Sequence, residues 1–138
     1  MKRNATAVWN GTGKEGSGHL TTQSTTLNKT QYSFGSRFAE GVGTNPEELL
    51  AAAHAGCFTM KVSFMLNAAG FTADEIQTRC DITLDQTKGA ITLSELKCTA
   101  KVPGIEAGQF EEIAQKAKAD CIVSNAFSFD TTLEASLA

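Results

Sequence analysis

Proline is nearly missing from this chain, with only Pro46 and Pro103, and tryptophan and tyrosine occur once each, as Trp9 and Tyr32. The four cysteines, Cys57, Cys80, Cys98 and Cys121, include no Cys-x-x-Cys pair, which removes the zinc-knuckle and thioredoxin-type signatures. No excess of positive charge is present either: 12 Lys+Arg against 15 Asp+Glu leave a net charge of −3, with the lysines scattered. That distribution offers nucleic acid no footprint. The first six residues lack the apolar core of a signal peptide. The one long apolar stretch, residues 49–66, is largely alanine, glycine and other small residues and carries His54 and Lys61. A membrane span would be richer in leucine and isoleucine, so the stretch reads as a buried helix of a soluble protein. The expected compartment is the cytoplasm, where cysteines are thiols by default and a disulfide is transient.

What remains reads as one domain over residues 1–138. Residues 5–9 and 18–22 favour strands around a glycine-rich turn, residues 25–34 suggest a third strand, and 35–44 read as a loop. Asn45-Pro46-Glu47-Glu48 is a helix start: an acceptor at the cap, proline in the first turn, and acids near the positive end of the dipole. The helix is expected to run to about Ala69, with Gly70 as its stop. Past the first turn its only ionisable side chains are His54, Cys57 and Lys61, so it needs cover on every side. Alternation over 76–85 and 90–102 predicts a hairpin, with a bulge near Ser94-Glu95 where the apolar register changes. Phe110, Ile113, Ala114 and Ala117 predict a second helix, and Phe127, Phe129, Thr131 and Leu133 a last strand. The order implies an α+β fold with mainly antiparallel pairing.

Cys80 and Cys98 fall on the apolar faces of consecutive strands and read as core residues. Cys57 lies in mid-helix, three residues after His54 and on the same face. Position alone again favours packing over reactivity. Cys121 stands where the second helix ends, and a second thiol on another element is what resolves a cysteine sulfenic acid. A reactive Cys57 faces an obstacle, because a thiol of pKa about 8.5 is only about 3% ionised at pH 7 and burial raises that pKa. A guanidinium alongside lowers it by roughly 1–3 units, and three units would make it about 97% thiolate. The chain has three arginines. Arg3 is terminal and Arg79 lies on an outward strand face, which leaves Arg37, between aromatics and ten residues before Glu47. Glu47 or Glu48 is the expected carboxylate partner.

Ser36-Arg37-Phe38, residues 43–49 (Gly-Thr-Asn-Pro-Glu-Glu-Leu) and residues 52–58 (Ala-Ala-His-Ala-Gly-Cys-Phe) closely resemble the osmotically inducible protein C (OsmC) family. Val102-Pro103-Gly104-Ile105 and residues 116–124 continue the likeness, which spans nearly the whole chain. Related organic hydroperoxide resistance proteins place their arginine nearer the N-terminus, so the position of Arg37 looks like the OsmC branch. The resemblance implies an intertwined homodimer, with long central helices wrapped by sheets and active sites at the subunit interface. It implies that Cys57 is the peroxidatic cysteine and Cys121 the resolving one, with Arg37 stabilising the thiolate and Glu47 orienting Arg37. The implied activity is stress-protective reduction of organic hydroperoxides, and of hydrogen peroxide, through a Cys57 sulfenic acid and a Cys57–Cys121 disulfide. A dithiol such as lipoyl groups would restore the thiols, with no metal, flavin or haem. One departure is Ile122, where the family commonly has proline after the resolving cysteine.

Two other classes stay open. A metal-binding or thiol redox-sensing module would use His54 and Cys57 with Cys121 and a carboxylate. A dimeric structural protein would carry four inert thiols.

Overall fold

A computed structural model describes residues 1–138. The chain divides into two compact units, Met1–Leu49 and Leu50–Ala138.

In the first unit, β1 (Ala5–Asn10), β2 (Ser17–Thr22) and β3 (Thr30–Tyr32) form an antiparallel sheet in that order. The expected third strand shrinks to three residues because the chain before it turns. Thr25 and Lys29 have φ of 60° and 50°, a left-handed conformation no strand continues through. The expected loop at 35–44 opens instead as a short helix, α1 (Phe34–Phe38). Ser33 caps it reciprocally: its Oγ accepts from the Ser36 amide at 3.1 Å and the Ser36 Oγ accepts from the Ser33 amide at 2.8 Å. Beyond it Gly43 has φ of +112°, and a Cβ there would run into the Gln31 carbonyl. Only glycine fits.

The long helix α2 (Pro46–Ala68) starts in this unit and continues into the second. Its start is as the sequence predicts: the Asn45 Oδ1 accepts from the Glu48 amide at 2.8 Å, a cap worth about 1 kcal/mol. Gly70, at φ +88°, follows its end. By length and composition α2 passes for a membrane-spanning helix, with a mean hydropathy of 1.4. Within the chain it is covered along one row only, His54, Phe58, Val62 and Leu66, spaced by four residues and therefore stacked on one face. Met60 and Phe64 are 60% and 66% exposed.

The second unit adds β4 (Glu75–Asp85) and β5 (Ala90–Lys101), paired antiparallel, and β6 (Asp130–Leu137) beside β5. The β5–β6 pairing is parallel, the exception in a fold whose other three pairings are antiparallel, in line with the mainly antiparallel expectation. Between those strands the chain makes α3 (Ala107–Ala119) and α4 (Ile122–Ala126), and a helical crossover returns the next strand in the same direction. The bulge falls not at Ser94-Glu95 but at Thr92: Leu93 pairs with Thr83 and Ile91 with Leu84, so Thr92 is the extra residue. Ser94 is therefore an inward position, fully buried in line with Leu96, Cys98 and Ala100. The core gathers the covered row of α2, the inner face of β5 and the buried face of α3, Phe110, Ile113, Ala114 and Ala117. Cys98 lies within it and Cys80 packs against it.

Candidate active site

The predicted site residues fall into two pairs. The first, in the first unit, is Arg37 with Glu47. Arg37 donates from Nε at 3.0 Å and Nη2 at 2.8 Å to Glu47 Oε1, with Nε also 3.4 Å from Oε2. Such a forked contact fixes the plane of a guanidinium as well as its position. The loop around it is built to hold this geometry. Ser36, buried, donates through Oγ to the Thr44 carbonyl at 2.8 Å, and Asn45 Nδ2 donates to the Ser36 carbonyl at 3.1 Å. The sequence left two acids as partners. Glu48 is taken by the Thr44 hydroxyl at 2.6 Å, which leaves Glu47 to the arginine.

The second pair is Cys57 with Cys121, in the second unit. Their sulfurs are 3.4 Å apart, one thiol hydrogen-bonded to the other. Both are free, Cys57 half-buried and Cys121 fully buried. Cys57 lies at the border of the covered row of α2, beside the apolar row that contains Met60 and Phe64. Cys121 is the residue that caps α4. The two cysteines line a cleft of about 410 Å³ walled by Met60, Phe64 and Ile122, with Lys61 and Asp120 also lining it. The Lys61 Nζ to Asp120 Oδ2 distance is 3.9 Å. A small molecule entering there meets apolar carbon on most sides and sulfur at the wall.

The Cys121 thiol is held below its ordinary range. Burial pushes it up, but hydrogen-bond donors push harder the other way: the Ser124 amide and hydroxyl, the Cys57 thiol and the Val123 amide. The two amides face the sulfur without closing a cap bond of ordinary geometry. Cys80 and Cys98 go the opposite way. Burial raises both thiols, against smaller opposing hydrogen bonds from Ser94 and Thr78 respectively.

His54, fully buried, has both ring nitrogens engaged. Nδ1 is 2.7 Å from Ser94 Oγ on β5, and Nε2 is 2.6 Å from Ser124 Oγ on α4. Phe127 meets the ring edge-on, with centroids 5.1 Å apart. Burial, and then the Lys118 charge, hold its pKa below the usual histidine value. With both nitrogens occupied, the ligand set considered for a metal module does not assemble, and nowhere do three His, Cys, Asp or Glu side chains gather closely enough to hold a metal ion.

The sequence reading missed Ser94, Ser124 and the short helix α4. A signal existed for the first: a histidine inside an apolar helix needs polar partners, and Ser94 is a polar residue in an otherwise apolar inward register. Placing the bulge two residues late hid it.

Comparison with known proteins agrees with this architecture. A family model described as OsmC-like protein matches residues 39–136. Peroxiredoxin OsmC of Escherichia coli (strain K12) is 48% identical over 130 residues, covering 93% of this chain and 91% of that protein. Among solved structures, an OsmC-like protein of unknown function from Vibrio cholerae aligns with a TM-score of 0.77 at 16% identity, over 98% of this chain and 99% of the other. The organic hydroperoxide resistance protein OhrB of Bacillus subtilis aligns at 0.66 with 21% identity, over 98% of each chain. At those identities the two structures speak to the fold alone. The long match to the family model and the close relative along nearly the full length speak to descent, and on them the chain belongs to the OsmC-like protein family.

Proposed function

We propose that this chain is a thiol-dependent peroxidase that reduces organic hydroperoxides to alcohols, and hydrogen peroxide to water, in oxidative or osmotic stress defence. The observation that carries the reading is the pair of free sulfurs 3.4 Å apart at an apolar cleft. The close relative named Peroxiredoxin OsmC supports it.

In the first step the Cys57 thiolate attacks the terminal peroxide oxygen. The O–O bond breaks, the alkoxide takes a proton and leaves as alcohol, and the sulfur keeps the hydroxyl as a sulfenic acid. Cys121 then attacks that sulfur. The S–O bond breaks, the hydroxyl leaves as water with the Cys121 proton, and the sulfurs close from 3.4 Å to a bond of about 2.05 Å. A dithiol such as lipoyl groups exchanges with the disulfide, returning both thiols and becoming a disulfide itself. Sulfur supplies all the redox chemistry, so the proposed reaction uses no metal or organic cofactor. Arg37, fixed by Glu47, is the cation proposed to stabilise the negative charge of the attacking sulfur.

A homodimer belongs to this reading. Met60 and Phe64 lie exposed on α2, and fully burying a large apolar side chain contributes about 1.5–3 kcal/mol. A second copy wrapping α2 would supply that cover and close the cleft, making the single 138-residue domain one half of an intertwined, soluble and cytoplasmic dimer. The test is a coupled assay with cumene and t-butyl hydroperoxide, reduced lipoamide and, separately, glutathione, beside light scattering of the same sample. Peroxide consumption sustained by the dithiol, in a particle of twice the chain mass, is the expected result. No consumption with either reductant overturns the reading.

A further inference from the structure

The peroxidase steps above make no use of His54, although it is among the most thoroughly buried side chains in the molecule. Burying a polar ring is unfavourable unless its nitrogens are satisfied, and the two hydroxyls that satisfy this one come from separate elements. Ser94 sits on the inner face of β5 and Ser124 in α4. His54 is also three residues before Cys57 on α2. Ser124 is three residues after Cys121, in the turn that Cys121 opens, and its amide and hydroxyl favour the Cys121 thiolate without closing a cap bond of ordinary geometry.

Besides Val123, which packs against the core, little else fastens α4. It is five residues long, none of them buried, and Ile122 is 80% exposed. Asn125 Nδ2 donates to the Ala119 carbonyl at 3.0 Å, a bond to the chain just before α4 and not to α2. The 2.6 Å contact between His54 Nε2 and Ser124 Oγ joins the Cys121 turn to the helix carrying Cys57, beside the 3.4 Å contact between the two sulfurs themselves.

We propose that His54, acting through Ser124, is a positioning residue for disulfide closure: it holds the Cys121 turn against α2 and aims the Ser124 hydroxyl proton at the Cys121 sulfur. This rests on the reading of Cys57 and Cys121 as the redox pair. The proton count allows it. A neutral imidazole has one N–H. When that proton is on Nε2 it donates to Ser124 Oγ, which frees the Ser124 O–H to donate to a Cys121 thiolate. Nδ1 then accepts from the Ser94 O–H, and Ser94 Oγ, 3.3 Å from Cys80 Sγ, accepts from that thiol. Every proton in the row has one acceptor. In the other tautomer Ser124 donates to the ring, while the resting Cys121 thiol donates to the Cys57 sulfur. As Cys121 attacks, its proton leaves with the departing hydroxyl as water, and the neutral ring keeps its single proton throughout.

The titratable or charged groups facing His54 are Cys80 from β4, Lys118 from α3 and, through Ser124, Cys121 at the start of α4, while β5 presents only the Ser94 hydroxyl. The Lys118 charge and burial both favour the neutral ring that the exchange needs.

Single-turnover kinetics on the full chain test this, with cumene hydroperoxide as oxidant and dimedone to trap sulfenic acid, in wild type, Ser124→Ala, Ser124→Thr and His54→Gln. Ser124→Ala leaves an ordinary side chain at a half-buried position, so it tests the idea even where the His54 variant does not fold. In Ser124→Ala, oxidation of Cys57 is expected to stay within about twofold of wild type, since that step does not use the hydroxyl. Disulfide closure is expected to slow by about tenfold or more, the rate equivalent of one hydrogen bond to a charged group. The Cys57 dimedone adduct then accumulates, and closure recovers as pH rises and Cys121 ionises unaided. Ser124→Thr keeps the hydroxyl and restores closure to within about threefold. Closure at the wild-type rate in Ser124→Ala, both steps slowing alike, or no rescue by threonine overturns the assignment. A wild type that is oxidised at Cys57 without ever forming the disulfide removes the two-cysteine reading itself, and this assignment with it.

Discussion

Cys121 and Cys98 are equally hidden, at 0% and 1% exposure, yet their thiols are displaced in opposite directions. Burial disfavours the thiolate in both. At Cys98 little opposes it: the residue lies mid-strand in β5, where the backbone donors are committed to the ladder and only the Thr78 hydroxyl helps. At Cys121 the chain has just left α3 and is about to enter α4, and the first amides of a helix have no partner within it. Two of those amides, with the Ser124 hydroxyl and the Cys57 thiol, turn toward the sulfur. Which donors are free therefore decides the direction in which each thiol is displaced, and depth alone does not.

The comparison breaks most visibly at Cys57. Cys57→Ser is expected to lower hydroperoxide turnover by at least about a thousandfold, as removal of a nucleophile does, while Cys98→Ser leaves it within about twofold. Steady-state assay with reduced lipoamide reads both, and equal activity of Cys57→Ser and wild type would end the peroxidase reading. Next in size is Cys121→Ser, which keeps a first turnover and then stops. Mass spectrometry is expected to find Cys57 as sulfinic or sulfonic acid where wild type holds a disulfide. Arg37→Met comes third, with activity down about tenfold, the rate equivalent of one charge-assisted contact to the attacking sulfur. Glu47→Gln, which loses the carboxylate that holds the guanidinium, produces a smaller loss the same way. Unchanged activity in Arg37→Met would take the arginine out of the proposed site.

The smallest effect concerns stability. The folded thiols of Cys80 and Cys98 are raised. Their contribution is whole below the unfolded thiol value of about 8.5 and declines as pH rises from there through the folded values. Cys121, lowered, works in reverse: its contribution is present above the unfolded value and is lost as pH falls through the folded one. Urea unfolding followed from neutral to alkaline pH is expected to show a flatter decline above about 8.5 in Cys80→Ala and Cys98→Ala than in wild type, and in Cys121→Ala the loss of the gain in stability that Cys121 supplies as pH rises toward that value.

Local order was legible wherever it is set by neighbours in the chain. Asn45-Pro46-Glu47-Glu48 and Gly70 bracket α2 because caps and left-handed stops act within a few residues. The apolar spacing of Phe110, Ile113, Ala114 and Ala117 marks the buried face of α3 for the same reason. The failures lie where distant segments decide. No alternation pattern tells a parallel from an antiparallel neighbour, so the β5–β6 pairing was unreadable. Ser94 looked like the site of a bulge because its partner, His54, is forty residues away. The third strand was overdrawn because propensity does not register the left-handed Thr25 and Lys29.

By itself, then, the sequence determined that an apolar helix carries a cysteine, that a second cysteine ends another helix, and that Arg37 has two acids within reach. These follow from spacing and residue type. The tertiary structure decided the rest: that Glu47 and not Glu48 takes the arginine, because Thr44 already holds Glu48; that Cys57 and Cys121 meet at 3.4 Å, 64 residues apart in the chain; and that His54 is tied to both β5 and the Cys121 turn. Hydrogen bonds and sulfur contacts act over about 3–4 Å, and which groups come that close is settled only when the elements pack.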